Sequence, residues 1–250
     1  MKITDNTILI TGGGSGIGLS LAKAFSRHEN TVIICGRNAA KLEAVKKEEP
    51  AVVPFVCDIA NDHEQQDLIN SIMQKYPQMN VLINNAGIQH NYDFTDGKDH
   101  RALIDEEASI NFLAHMKLTD QLLPSFMKKE VAAIVNISSA LAVVPKQSAP
   151  IYCATKAAIH NFSKALRYQL EKTPVKVFEV IPTLVDTEMT KGRGKDKVSP
   201  ESLAGEVLRA IETDKYEILV GKTRMLFLLN RFVMGDVLNL LTYWKETWGP

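Results

Sequence analysis

The sequence predicts an α/β fold: a doubly wound domain in which helices cover both faces of a seven-stranded parallel sheet. Short runs rich in Val and Ile alternate along the chain with longer segments of helical period, a pattern typical of strand–helix–strand units. A glycine-rich turn follows the first run directly. No change of composition and no low-complexity linker divides the 250 residues. We therefore expect residues 1–250 to form a single domain.

Seven apolar runs are predicted as strands, because Val- and Ile-rich segments of this length suit a sheet that is buried on both faces. In chain order they are Thr7–Ile10, Thr31–Cys35, Val52–Val56, Val81–Ile83, Ala132–Ile137, Val175–Ile181 and Glu217–Val220. Helices are predicted between them, among them Gly18–Arg27, Ala39–Lys47, Asp62–Lys75 and Ala157–Leu170. The interval Thr183–Pro200 has no such period, and a loop of this length is expected to be a lid or a binding loop.

Composition excludes several classes of function. The 29 basic and 29 acidic residues cancel, which argues against nucleic acid as a partner. Three cysteines (Cys35, Cys57 and Cys153) are too few for a disulfide framework and indicate a reducing, cytoplasmic setting. The six histidines form no i, i+4 pair, so no metal site is predicted. No apolar run reaches the roughly 18 residues of a membrane span.

The turn after the first strand reads Thr-Gly-Gly-Gly-Ser-Gly-Ile-Gly and opens the first predicted helix. Glycines allow the backbone to approach a pyrophosphate closely, and the free N–H groups at a helix start attract anions. The turn therefore predicts a dinucleotide site of the Rossmann type, the alternative being a tight turn without a ligand. The candidate contacts are Gly12, Ser15, Gly16, Ile17 and Gly18.

The end of the second predicted strand indicates which dinucleotide binds. In NAD-binding proteins an Asp or Glu roughly 20 residues further along holds the ribose 2′-hydroxyl. Here the strand ends in Gly36-Arg37-Asn38, so Arg37 is expected to pair with a 2′-phosphate, assisted by Lys41. NADP is therefore predicted in preference to NAD. The alternative is that Arg37 is a solvated loop residue.

Four further motifs follow in order: Asn84-Asn85-Ala86-Gly87, Asn111, Ser138-Ser139 and the Tyr-x-x-x-Lys pattern of Tyr152 and Lys156. Together with the glycine turn they resemble the short-chain dehydrogenase/reductase family, from about Ile8 to Thr187. Each motif alone is weak. Tyr168 and Lys172 also fit the last pattern, but no serine precedes them at the right separation.

The chemistry explains these residue types. Reduction of a carbonyl by hydride needs a proton on the oxygen, and Tyr152 is the expected general acid/base. Lys156 lies one helical turn away, where its ammonium is expected to favour the tyrosinate. Ser139 is expected to hydrogen-bond the substrate oxygen, with Ser138 as the less well spaced alternative. The resemblance implies that Lys156 also binds the nicotinamide ribose and that Asn111 holds a relay water; the alternative for Asn111 is a packing amide.

The resemblance also implies further cofactor contacts after the third, fourth and sixth strands. An adenine contact is implied for Asp58, whose alternative role is a helix N-cap. The other implied contacts are Asn85, Ala86, Gly87, Pro182 and Thr187.

A narrower similarity, carried by Ile33–Arg37, Ile83–Gln89 and Ile181–Glu188, is to the DltE branch, which is associated with D-alanylation of lipoteichoic acid. Two functions follow from these resemblances. The first is an NADP-dependent carbonyl reductase or alcohol dehydrogenase acting on a small molecule. The second is an NADP-binding accessory or sensor protein near the alanylation machinery, with little turnover.

The segment 223–250 is apolar and of helical period, with Trp244 and Trp248 near its end. Three interpretations stay open: a cover over the substrate pocket, the surface of a homodimer, or a helix lying on a membrane face.

Overall fold

The computed structural model describes residues 1–232, with side chains described for residues 1–229. The strands are β1 (Thr7–Thr11), β2 (Thr31–Gly36), β3 (Val52–Val56), β4 (Val81–Asn84), β5 (Ala132–Ile137), β6 (Val175–Pro182) and β7 (Glu217–Val220). The helices are α1 (Gly16–Ser26), α2 (Ala39–Glu48), α3 (Asp62–Lys75), α4 (Arg101–Ala108), α5 (Ala114–Phe126), α6 (Pro150–Gln169), α7 (Pro200–Glu212) and α8 (Thr223–Phe232). A π-helical turn, Ser109–Leu113, joins α4 to α5, and short 3-10 turns occupy Ala140–Ala142 and Glu188–Thr190.

The strands form one sheet in the order β3-β2-β1-β4-β5-β6-β7, and every neighbouring pair is parallel. This confirms the predicted fold class. The order of the strands reverses between β1 and β4. In sheets of this kind a crevice opens at such a reversal, outside the carboxyl ends of the strands.

Alternate residues of the central strands point to opposite faces of the sheet, and each face has its own core. Ile8 and Ile10 of β1 pack with residues of α1, α2 and α7, whereas Leu9 packs with residues of α3, α5 and α6. The sheet is thus buried on both sides, as its uninterrupted apolar runs predict.

Helix α6 differs from its predicted span. The sequence pattern placed its start at Ala157, which was wrong: the helix begins at Pro150, with the proline in its first turn. Proline suits this position because its missing N–H would have no partner in the first turn of a helix. Tyr152 and Lys156 therefore both lie on α6, near its amino end.

The predicted loop Thr183–Pro200 ends where α7 begins, and it contains local structure. Val185 and Val198 form an isolated parallel bridge, and Asp186 N donates to Val198 O over 2.9 Å. The loop is thus pinned at its two ends beside the carboxyl end of β6.

The apolar C-terminal segment is described only as far as α8. The remainder of the predicted tail, residues 233–250, lies outside the described residues. Among residues 1–232, no helix has both the length and the apolar character that crossing a bilayer requires.

Candidate active site

A cavity of about 670 Å³ opens at the carboxyl ends of the strands, where β1 and β4 meet. This volume lies within the range of roughly 300–1,000 Å³ that small-molecule sites have. The predicted site residues that line it come from seven separate segments: Gly12, Ser15, Gly16, Ile17, Arg37, Asp58, Asn85, Ala86, Gly87, Ser139, Tyr152, Lys156, Pro182 and Thr187. Gly18 and Asn111 lie outside the lining.

The glycine turn is built for close backbone approach. Gly12 has a φ of +66°, and a Cβ on it would lie 2.9 Å from the Cα of Ala86. A Cβ on Gly18 would lie 2.4 Å from the carbonyl oxygen of Gly12. Gly18 therefore does not contact the cavity; it allows α1 to pack against the turn that does.

The amino end of α1 faces the cavity without a cap. Ser15 is the N-cap residue, but its side chain makes no capping hydrogen bond, and the first turn contains no acidic residue. Gly16 and Ile17, the first residues of the helix, line the cavity with Ser15. Uncapped N–H groups at a helix start suit a phosphate, so the turn fits the pyrophosphate of a dinucleotide.

Two side chains tie the glycine turn to the end of β4. The Thr11 hydroxyl accepts hydrogen bonds from Asn85 N and Ala86 N, both over 3.0 Å. The Asn85 amide donates to Thr11 O over 2.9 Å and to Gly12 O over 3.3 Å. The side chain of Asn85 thus holds the glycine turn in place. The sequence predicted Asn85 only as a cofactor contact. Thr11 was not predicted as a site residue.

The end of β2 carries a cation, as the sequence indicates. The Arg37 side chain is 52% exposed, and its Nη1 lies 3.5 Å from Glu106 Oε1 and 3.8 Å from Asp58 Oδ2. Lys41 also lines this end of the cavity. Asp58 is not an N-cap, because the Asn61 side chain caps α3.

Tyr152 and Lys156, near the amino end of α6, form another part of the cavity wall. The Lys156 Nζ lies 5.5 Å from the centre of the Tyr152 ring and donates to Ile137 O over 2.8 Å. Burial lowers the pKa of Lys156 to about 8, against an opposing effect of the Glu179 carboxylate. Burial also raises the pKa of Tyr152, with smaller contributions from Cys153 and Glu107 in the same direction. Burial thus raises the pKa of the Tyr152 phenol, whereas the sequence leads one to expect that Lys156 favours the tyrosinate.

The two neighbouring serines have different hydrogen bonds. The Ser138 hydroxyl donates to Glu179 Oε1 over 2.5 Å. The Ser139 hydroxyl accepts from Leu141 N over 3.1 Å, so its own hydrogen stays free to donate. Both serines line the cavity, but only Ser139 has a proton to offer a substrate oxygen.

A buried acid lies behind this wall. Glu179 on β6 is fully buried, and its carboxylate lies 2.9 Å from His160 Nδ1 of α6. Its charge raises the pKa of Lys156. The sequence did not predict this pair, since no local spacing links a position on a helix with one on the following strand.

Asn111 lies in the π-helical turn and is fully buried. Its side chain accepts from Ile88 N over 2.8 Å and donates to Ile88 O over 2.9 Å, with a third contact of 3.3 Å to Thr155 Oγ1. Both the oxygen and the nitrogen of the Asn111 amide thus hydrogen-bond the segment after β4. This geometry favours the packing interpretation for the side chain of Asn111.

One further buried group lies beside this wall. His115 is fully buried, and neither ring nitrogen has a hydrogen-bond partner within the described part of the chain. Burial, reinforced by the charge of Lys156, lowers the pKa of His115 to about 3. The imidazole is therefore neutral. No group of three or more His, Cys, Asp or Glu side chains among residues 1–229 could hold a metal ion.

Comparison with known proteins agrees with this geometry. A model of the short chain dehydrogenases matches residues 6–198. The chain is 42% identical over 216 residues to the uncharacterised oxidoreductase DltE of Bacillus subtilis (strain 168), covering 86% of this chain and 83% of the relative.

Solved structures share the fold at low identity. A short chain dehydrogenase/reductase from Burkholderia phymatum in complex with NAD has a TM-score of 0.85 at 18% identity, over 95% of each chain. A short-chain dehydrogenase from Sphingobium yanoikuyae in complex with NADPH has a TM-score of 0.78 at 24% identity, over 92% of this chain and 96% of the other.

The resemblance predicted from the motifs is therefore confirmed, including its DltE-like character. A nicotinamide-dependent oxidoreductase is the class of enzyme that these matches and the cavity support together. The chain belongs to the short chain dehydrogenase family.

Proposed function

We propose that the protein transfers hydride between NADP(H) and a small carbonyl or alcohol substrate, with Tyr152 as general acid/base. The single observation that carries this proposal is the shared cavity. It is lined by the uncapped start of α1, the glycine turn, Tyr152 and Lys156 together.

When bound, the reduced nicotinamide supplies a hydride to the carbonyl carbon. The Tyr152 hydroxyl donates a proton to the carbonyl oxygen, so that hydride and proton together give the alcohol. The phenol is protonated at neutral pH, as suits an acid in the direction of reduction, and burial raises its pKa further above that range. The free hydrogen of the Ser139 hydroxyl stabilises the charge that develops on the same oxygen.

Lys156 offsets the negative charge that Tyr152 gains when it gives up its proton. With a pKa of about 8, its amine is mostly protonated at neutral pH, and its hydrogen bond to Ile137 O fixes it beside the ring. An ammonium in a buried site stabilises a neighbouring anion more strongly than it does in water.

We assign the 2′-phosphate of NADP to Arg37. The end of β2 has no carboxylate of its own, and Lys41 adds a second cation at the rim. Asp58 and Glu106 hold the guanidinium at this rim and leave about half of it exposed to a ligand.

We also propose a cytoplasmic homodimer built from single-domain chains. The three cysteines are all buried and unpaired, which supports a reducing compartment. Exposed Met225, Leu228 and Leu229 on α8 support a dimer surface there, while Leu226 of the same helix lines the cavity and supports a pocket cover. Contact of this helix with a membrane face remains a separate proposal.

The test is NADPH oxidation by the purified protein against a broad library of ketones and aldehydes. We expect saturable oxidation with at least one carbonyl class, and weaker activity with NADH. Tight NADPH binding without oxidation across the library would contradict the enzyme proposal. It would favour the accessory or sensor function, which pull-down partners would then identify.

A further inference from the structure

The substrate side of the cavity is rich in positive charge. Besides Lys156, two cationic side chains line it: Lys146, before α6, and Arg193, in the Thr183–Pro200 loop. The acidic residues that line the cavity are Asp58 and Glu188. Asp58 lies with Arg37 at the adenine end, and Glu188 is exposed and lies 3.7 Å from Lys191. No carboxylate among residues 1–229 thus balances the two cations.

Arg193 is held over the cavity by a neutral partner. Its Nη1 donates to Gln89 Oε1 over 2.8 Å, which joins the loop to the segment after β4. No carboxylate of residues 1–229 lies within 4.0 Å of its guanidinium nitrogens. The Gln89 amide nitrogen is buried and has no acceptor in the described structure. The side chains of Arg193 and Gln89 therefore offer several unused donors.

The charge of Arg193 acts on the hydroxyl of Tyr152. It lowers the pKa of Tyr152, although the opposite effect of burial is larger. Glu107 has the opposite effect on the same pKa. It does not line the cavity: its carboxyl is buried and accepts the Tyr92 hydroxyl over 2.7 Å, and burial raises its own pKa. Glu107 is therefore not a partner for Arg193.

Lys146 is anchored next to the catalytic tyrosine. Its backbone N donates to the Cys153 sulfur over 3.2 Å, and its carbonyl accepts from Ala149 N over 3.1 Å. Its ammonium makes no hydrogen bond and no ion pair with any described side chain. The backbone is thus fixed while the charge stays available. The Cys153 thiol, next to Tyr152 in the sequence, supplies this anchor.

We propose that Arg193 and Lys146 bind an acidic group of the substrate, so that the substrate is an oxo acid or the corresponding hydroxy acid. This inference rests on the proposed function and names its substrate class. A guanidinium pairs well with a carboxylate through two parallel hydrogen bonds, and a half-buried cation without a counter-charge gains most from such a ligand. The lining also includes apolar side chains that suit a hydrocarbon body, among them Leu141, Leu184, Met189 and Leu226.

A phosphate of the cofactor is the other anion that these two cations can meet. The test therefore separates the two sources. Oxo acids are compared with their methyl esters, which keep the carbonyl and remove the charge: pyruvate, levulinate and phenylglyoxylate, each with its ester. The value of kcat/KM is measured for each pair with NADPH, and the Kd of NADPH is measured separately by fluorescence titration.

We expect the wild-type protein to prefer the acids by about 10- to 100-fold, which is the range for a charge-assisted hydrogen bond. Arg193→Gln and Lys146→Gln should each lower this preference, mainly through KM, and leave the Kd of NADPH unchanged. Arg193→Lys should retain part of it. Lys195→Gln is the matched control, because Lys195 is an exposed cation of the same loop that does not line the cavity.

Equal kcat/KM for acids and esters would overturn the inference while leaving the proposed function intact. The same conclusion would follow if Arg193→Gln weakened NADPH binding and affected acid and ester equally, because the anion would then be a cofactor phosphate. The pairs are also titrated by calorimetry into NADPH-loaded Tyr152→Phe protein. Tighter binding of acids in the absence of any wild-type turnover would support the anion site and refute the proposed function. No preference in binding would overturn the inference.

Discussion

The chain carries the Tyr-x-x-x-Lys pattern twice, at Tyr152 and Lys156 and again at Tyr168 and Lys172. The first pair lies near the amino end of α6, beside the carboxyl ends of the strands, and Lys156 is only 3% exposed. The second lies where the same helix ends, and Tyr168 is 75% exposed. Both pairs have the same spacing in the sequence, but Lys172 lies beyond Gln169, the last residue of α6. At the first pair, burial raises the pKa of Tyr152 and lowers that of Lys156. The same sequence spacing therefore recurs without the same surroundings, because only the first pair lines the cavity at the sheet edge.

Tyr152→Phe should have the largest effect on turnover, and comparison with Tyr168→Phe tests whether only the first pair is catalytic. We expect turnover to fall by about 10²- to 10⁴-fold, the usual contribution of a positioned acid or base, with cofactor affinity nearly unchanged. Tyr168→Phe should leave both unchanged, because that ring is exposed to solvent. Steady-state kinetics and NADPH titration check this, and comparable turnover in the Tyr152→Phe variant would count against the assignment.

Lys156→Met should change the pH dependence of stability. The pKa of Lys156 is about 8 in the folded protein, below the ordinary 10.5, so between these values the unfolded chain holds the proton more tightly. The contribution of this lysine to the free energy of unfolding should therefore rise with pH across that window, by on the order of 3 kcal/mol.

The measurement is urea denaturation of wild type and variant from pH 7 to pH 10. Subtracting the two curves removes the titration of Cys35 and Cys57, whose raised pKa values act with the opposite sign. Lys172→Met is the exposed control. Parallel curves for wild type and Lys156→Met would refute the buried-lysine argument.

Arg37→Asp tests an exposed cation at the opposite end of the cavity. We expect the ratio of NADP to NAD affinity to fall by about 10- to 100-fold, because one charge-assisted contact to the 2′-phosphate is replaced by repulsion. Lys47→Asp makes the same charge change on an exposed part of α2 outside the cavity. Calorimetry that gives one ratio for all three proteins would contradict the role of Arg37.

Glu179→Gln should have the smallest effect. The Glu179 carboxylate raises the pKa of Lys156, so removing its charge should lower that pKa. The loss of kcat/KM with rising pH should then begin at lower pH than in wild type. Glu217→Gln provides the control. Glu217 lies opposite Glu179 in the register of β6 and β7, but its side chain is partly exposed. Identical pH profiles for Glu179→Gln and wild type would exclude this role.

The sequence predicted the sheet because each strand is a local run of β-branched residues, and it predicted Tyr152 and Ser139 because their types and spacing are local as well. It did not predict the Arg193–Gln89 contact or the His160–Glu179 pair. In both, the partners come from different elements, and their meeting depends on how loops and strands end at one edge of the sheet. The start of α6 was wrong for a related reason, since an apolar period alone does not show where the first turn of a helix begins.

The π-helical turn at Ser109–Leu113 sets the direction in which the side chains of α5 face relative to those of α4. It keeps Glu107, Asn111 and His115 buried together, at intervals of four residues, while Leu118 and Leu122 beyond it still meet the core. Deleting one residue from this turn would rotate everything that follows by about 100° and would direct those leucines towards water. A chain that lacks one residue at this point would therefore have to rebuild the buried face of α5.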